Sequence, residues 1–140
     1  MKEPSEKRKR TLQLHERALR FSVDVNSCCP RHFSGPPAQI VWGQLVRAAD
    51  GASNNLIEAD DAVSDADFLN KMGTALKETK EARAELIKLR LGNLDNFLKT
   101  AKLELESEST QLCAIFATII RNMEKRLARE REERRRAKKN

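Results

Sequence analysis

Apolar residues return along this chain at steps of three and four in four successive blocks, with polar residues filling the positions between them. Leu14, Ala18, Phe21, Val25 and Cys28 share one face of a helix predicted over about residues 5–27, because a turn of roughly 3.6 residues stacks side chains three or four apart. The segment CCPRHFSGPPA, with tandem prolines after a glycine, ends this helix and reads as a loop from Cys28 to Ala38. A second helix is predicted from near Ala38 to Asp61, with Trp42, Leu45, Ala49, Ala52, Leu56 and Ala59 as its stripe. The third follows Ser64, an N-cap with Asp67 three residues on as a variant capping box, and ends at Gly92, a suitable C′ residue. Its seam runs through Phe68, Met72, Ala75, Thr79, Ala82, Leu86 and Leu89 in alternating steps of four and three. The fourth carries Leu105, Ser109, Leu112, Phe116, Ile119 and Met123 at the same spacing and continues into the charged tail. Between the last two, NLDNFLKTAK reads as a separate short helical turn.

No stretch alternates with the period of a strand. Four amphipathic helices with short connections predict an all-α fold, an antiparallel up-down-up-down four-helix bundle with a helical basic C-terminal extension. A length of 140 residues is enough for one core. The expected division is a basic N-terminal arm at residues 1–10, the bundle at 11–128 and a basic tail at 129–140. An aromatic content of 4% lowers the case for a sandwich or barrel further.

The second helix carries a polar row beside its apolar stripe. At about 100° per residue, Arg47, Gly51, Asn54, Asn55 and Glu58 fall together on one flank. Asn and Gly cost a helix interior roughly 0.5–1 kcal/mol each relative to Ala, so something beyond local propensity holds them there. The third helix has a comparable row in Asp67, Lys71, Thr74, Glu78, Glu81 and Glu85, and two such rows on adjacent helices can face each other. A solvated face has no need of Gly51 or of paired asparagines. A subunit contact or a buried hydrogen-bonded network uses both.

Charge adds a second feature. The net charge is +6, but residues 1–10 carry +3 and residues 124–140 carry +5, leaving −2 on the body between them. Basic ends on an acidic body are an arrangement used to bind polyanions. The candidate phosphate-contacting residues are Lys7, Arg8, Lys9 and Arg10 at one end and Arg129, Arg131, Arg134, Arg135, Arg136, Lys138 and Lys139 at the other. With five Phe, one Trp and no Tyr, few aromatics remain for base stacking after a core is filled, so any nucleic-acid binding is expected to be electrostatic.

Enzyme chemistry finds little support. Cys28, Cys29 and His32 lie together, but structural zinc needs a fourth ligand, and His15 and Cys113 occupy ordinary helical positions. Glu78 and Glu81 resemble the carboxylate pairs of di-iron bundles, but neither His follows a Glu by three residues. No phosphate-cradling glycine loop or nucleophile elbow is present. No catalytic residue, cofactor or metal is therefore expected. The longest apolar stretch, LCAIFATII, falls short of a membrane span, and MKEPSEKRKR lacks the apolar segment of a signal peptide. With an odd cysteine count, these features predict a cytoplasmic protein without membrane contact.

The stretch RAADGASNNLIEADDAVSDADFLNKMGTALKETKEARAELIKLR, together with LCAIFATIIRN, resembles the bacterial four-helix-bundle family that includes the 23S ribosomal RNA intervening-sequence protein. The resemblance lies in Arg47 and Ala48, in Asn55 followed by Glu58, in Asp67 and Phe68, and in the block Ala75 to Glu78, and it covers roughly residues 11–128. Gly51, Ala52 and Ser53 depart from the family, which often has Ser, a branched residue and Gly or Pro there, and the tail after Leu127 lies outside the shared pattern. The resemblance implies a ring-like homo-oligomer, with a pentamer favoured, and no reaction. Related bundles include the accessory protein of diversity-generating retroelements, which looks like a basic ring that binds a reverse transcriptase and nucleic acid. The leading expectation is a non-enzymatic oligomer associating through its basic arms with nucleic acid, RNA ahead of DNA. The alternative is a protein-interaction scaffold whose partner is a reverse transcriptase or another protein.

Overall fold

The computed structural model describes residues 2–94 and 99–140, all helical or in short connections. Four helices follow in order: α1 Glu6–Cys28, α2 Pro36–Asp60, α3 Asp65–Gly92 and α4 Lys99–Lys139. Among the described residues α1 packs on α2, α2 on α3, α3 on α4 and α4 on α1, and neither diagonal pair meets. This is the antiparallel four-helix bundle expected from the spacing. The α2–α3 contact is the most extensive and the α1–α4 contact the least. Alanines explain the first: Ala48, Ala49, Ala52, Ala75 and Ala82 are buried and let two backbones come close.

Cap chemistry sets the helix ends. Ser5 caps α1 by accepting a 3.1 Å hydrogen bond from the Arg8 amide, and Ser64 caps α3 by accepting one of 3.0 Å from the Asp67 amide. Asp67 reaches back in turn, its Oδ2 accepting from the Val63 amide at 3.3 Å, so the variant capping box closes one residue further out. Two boundaries differ from expectation. Helix α2 starts at Pro36 rather than Ala38, because proline at the first helical positions gives up only a donor that has no intrahelical partner there. The left-handed residue that ends α3 is Asn93 (φ 48°), not Gly92, which stays helical. Asn tolerates that conformation, and the Leu94 amide then bonds to the Leu89 carbonyl at 3.3 Å. Residues 95–98, within the expected separate turn, lie outside the described residues, and Lys99–Lys102 are already part of α4.

The seam residues meet as the spacing required. Phe21, Trp42, Leu45, Met72, Leu86 and Phe116 are fully buried. Thr79 and Ser109 sit among them because their hydroxyls donate to the carbonyls of Ala75 (2.7 Å) and Glu106 (2.8 Å) in their own helices. Cross-links tie the corners: Arg17 to Glu108 at 2.6 Å joins α1 to α4, and Arg90 to Glu106 at 2.9 Å joins α3 to α4.

Candidate nucleic-acid interface

Helix α4 has 41 residues against 23 to 28 in the others, so it outruns the bundle. The last bond from α4 to another helix among the described residues is Arg126 Nη2 donating to Asp65 Oδ1 at 3.2 Å. Beyond it, residues 127–139 continue for about 20 Å at about 1.5 Å per residue. Only Leu127, Ala128 and Ala137 in this stretch are apolar, so it has no stripe with which to pack. A helix that is polar all round holds itself together through pairs three and four residues apart. Such pairs are present: Arg134 with Glu130 at 4.0 Å, Arg135 with Glu132 at 2.8 Å and Arg136 with Glu132 at 3.3 Å.

These pairs divide the seven basic tail residues into two groups. Arg134, Arg135 and Arg136 are exposed but already paired, the first with Glu130 and the other two with Glu132. Arg129, Arg131, Lys138 and Lys139 are exposed and have no ion pair among the described residues.

The N-terminal set also divides. Lys7, Arg8, Lys9 and Arg10 lie within α1 rather than on an arm outside it. Arg8 donates to both carboxylate oxygens of Asp60 at 2.6 Å, which raises its pKa through the hydrogen bond and the charge together. That guanidinium therefore fastens α1 to the end of α2 and is not free for a phosphate. Lys9 pairs with Glu6 at 3.4 Å and Glu3 at 3.5 Å. Lys7 and Arg10 have no ion pair among the described residues.

The topology brings the two basic segments to one end of the molecule. Arg8 with Asp60 places the start of α1 beside the end of α2, and Arg126 with Asp65 places the exit of α4 beside the start of α3. Residues 61–64 join those two points. Lys7, Arg10 and the tail, far apart in sequence, leave the bundle together.

The polar rows of α2 and α3 face each other inside one chain. Arg47 Nη2 donates to Glu81 Oε1 at 2.6 Å and Lys71 Nζ to Glu58 Oε2 at 3.0 Å. Between them the Glu78 side chain lies over Gly51, where an added Cβ would stand 3.2 Å from the Glu78 Cδ. The glycine makes room for this carboxylate. Glu78 Oε2 is buried without a partner, and burial pushes its carboxyl above the usual range; the Glu81 charge adds to this and Arg47 opposes it. Asn55 Nδ2 donates to the Gly51 carbonyl at 2.8 Å, while Asn54 points outward and is exposed. Gly51, Asn55 and five charged residues, Arg47, Glu58, Lys71, Glu78 and Glu81, thus have a role within the chain, whereas Asn54 stands apart.

No described group of three or more His, Cys, Asp or Glu could hold a metal ion. Cys28, Cys29 and Cys113 are free thiols whose pKa burial pushes up, the opposite of what a reactive thiolate needs. Among the described residues no helix is long and apolar enough to cross a membrane.

The chain matches no family model, and no curated protein is significantly similar to it. Among solved structures, it resembles a crystal structure from Bacteroides thetaiotaomicron described as a protein of unknown function from the S23 ribosomal protein family. The TM-score is 0.69 at 23% identity, over 79% of this chain and 97% of that one. The two chains share a fold, and about a fifth of this chain has no counterpart in that structure.

Proposed function

We propose that the chain is a non-enzymatic, homo-oligomeric helical bundle that associates with RNA through phosphate contacts made at one end. On this proposal it is a relative of the 23S ribosomal RNA intervening-sequence protein, with a ring, a pentamer by preference, as its assembly. The observation that carries the proposal is the projecting end of α4, a helix without an apolar stripe, with four exposed cations unpaired among the described residues and Lys7 and Arg10 at the same end. Side chains held on a helix keep their spacing, so phosphates meet a preset array instead of ordering a loose tail. The S23 name of the structural neighbour supports the association with RNA only as a prior, since it belongs to that protein.

A protein scaffold is the second reading, with a reverse transcriptase or another protein as partner. It is favoured by Leu12, Leu19 and Val23, exposed aliphatic residues spaced so that they share one outward face of α1. Purification from cells with and without nuclease separates the two. RNA that co-purifies and is lost with nuclease, leaving the oligomer alone, supports the first reading. A protein partner retained through nuclease treatment, without RNA, overturns it in favour of the second.

A further inference from the structure

At the end of the bundle where the basic segments meet, the four helices leave a cavity of about 380 Å³. Its floor is formed by buried His15, Leu56, Ala59 and Met72, and exposed Lys7 and Asp60 stand at its rim. The floor holds one polar group. His15 is 8% exposed, and its imidazole makes no hydrogen bond to any described residue. A neutral imidazole carries one donor and one acceptor, and with no protein partner for either, those of His15 are left for whatever occupies the cavity. A half-open space of this size, mostly apolar and with one unpartnered imidazole in its wall, has the composition of a small-molecule site between bundle helices.

The rim sets the charge of the occupant. Asp60 is already neutralised, both its oxygens lying 2.6 Å from the Arg8 guanidinium. Lys7 has no ion-pair partner among the described residues, so the unbalanced charge at the mouth is positive. Lys7 and His15 stand on the same side of α1, about 12 Å apart along the axis at about 1.5 Å per residue. That span fits a compact molecule entering end-on.

We propose that this cavity binds a small amphiphilic anion. Its apolar body rests on Leu56, Ala59 and Met72, a polar atom on that body bonds to His15, and its acid group meets Lys7. This site shares Lys7 with the proposed RNA-contacting set but none of the tail residues, and neither proposal needs the other.

The test uses full-length protein and 8-anilinonaphthalene-1-sulfonate, which combines aromatic rings, an N–H and a fixed negative charge, with dye fluorescence as the readout. Saturable binding of one dye per chain is expected. Ala59→Phe, which fills the floor, should weaken it about tenfold or more, and Lys7→Gln about threefold to fivefold, in line with the loss of a steric site and of one exposed charge. Leu19→Ser, on the exposed apolar face of α1, should leave it unchanged, and fluorescence of the buried Trp42 checks that each variant is folded. Absence of saturable binding overturns the proposal, as does binding removed by Leu19→Ser. Binding that Lys7→Gln leaves unchanged overturns the anion assignment. Since Lys7 is exposed, this variant decides the matter even if Ala59→Phe does not fold.

Discussion

Gly51 and Glu78 form a pair in which each explains the other. The glycine lets the carboxylate lie against α2, and an alanine would bring a Cβ within 3.2 Å of Glu78 Cδ, the mobile end of a side chain. Gly51→Ala should therefore be close to neutral, within about 1 kcal/mol, as the gain in helix propensity offsets the shift of Glu78. Gly51→Leu cannot be accommodated that way and should cost about 1–3 kcal/mol through overpacking. Chemical denaturation of the two variants checks the contrast. The same pair gives a pH dependence. Burial raises the Glu78 carboxyl above its ordinary value of 4.5, so the fold prefers its neutral form, and the protein loses stability as pH rises through the folded value. Glu78→Gln should therefore melt higher than wild type near neutral pH, and the gap should close as pH falls below 4.5. A gap that widens in acid would mean that Glu78 is held as a charged partner of Arg47.

Among the helices, the apolar periodicity was readable because burial follows it directly: nearly every seam residue named from spacing is buried or half-buried. Boundaries were less readable. Pro36 and Pro37 look like loop residues in a string, yet they form the first turn of α2, and Asn93 rather than Gly92 takes the left-handed position. The facing of the α2 and α3 rows could be anticipated from helical angles, but not which residues would pair. Arg8 with Asp60 bridges 52 positions and lies beyond any local pattern. The fourth helix also gives the clearest packing prediction. Phe116 is fully buried, and Phe116→Ala should cost about 3–5 kcal/mol. A loss under about 1 kcal/mol in thermal melts would place that side chain outside the core.

Taken whole, the molecule is a weakly acidic body with its basic excess gathered at one end, an asymmetry that the sequence distributes over two distant segments. Composition alone revealed the charge, whereas its convergence required the up-down-up-down topology, which puts the start of α1 beside the exit of α4. Residues 129–140 make no hydrogen bond or ion pair to another helix among the described residues, so the bundle holds without them and the proposed assembly is expected to form without the tail. Light scattering should therefore give the same oligomer for the full chain and for a deletion of residues 129–140, and a strictly monomeric full chain would remove the ring.

The central claim is that free cations at this end hold RNA by its phosphates, and the salt dependence of single-stranded RNA affinity, measured by fluorescence anisotropy, tests it most directly. Six cations unpaired among the described residues, Lys7, Arg10, Arg129, Arg131, Lys138 and Lys139, set an expected slope of log affinity against log salt of about −4, with little dependence on base sequence. Deleting residues 129–140 leaves two of them and should flatten the slope to about −1.5 while weakening binding at every salt concentration. Equal affinity and slope for the full chain and the deletion, or no binding by either at low salt, would contradict the account.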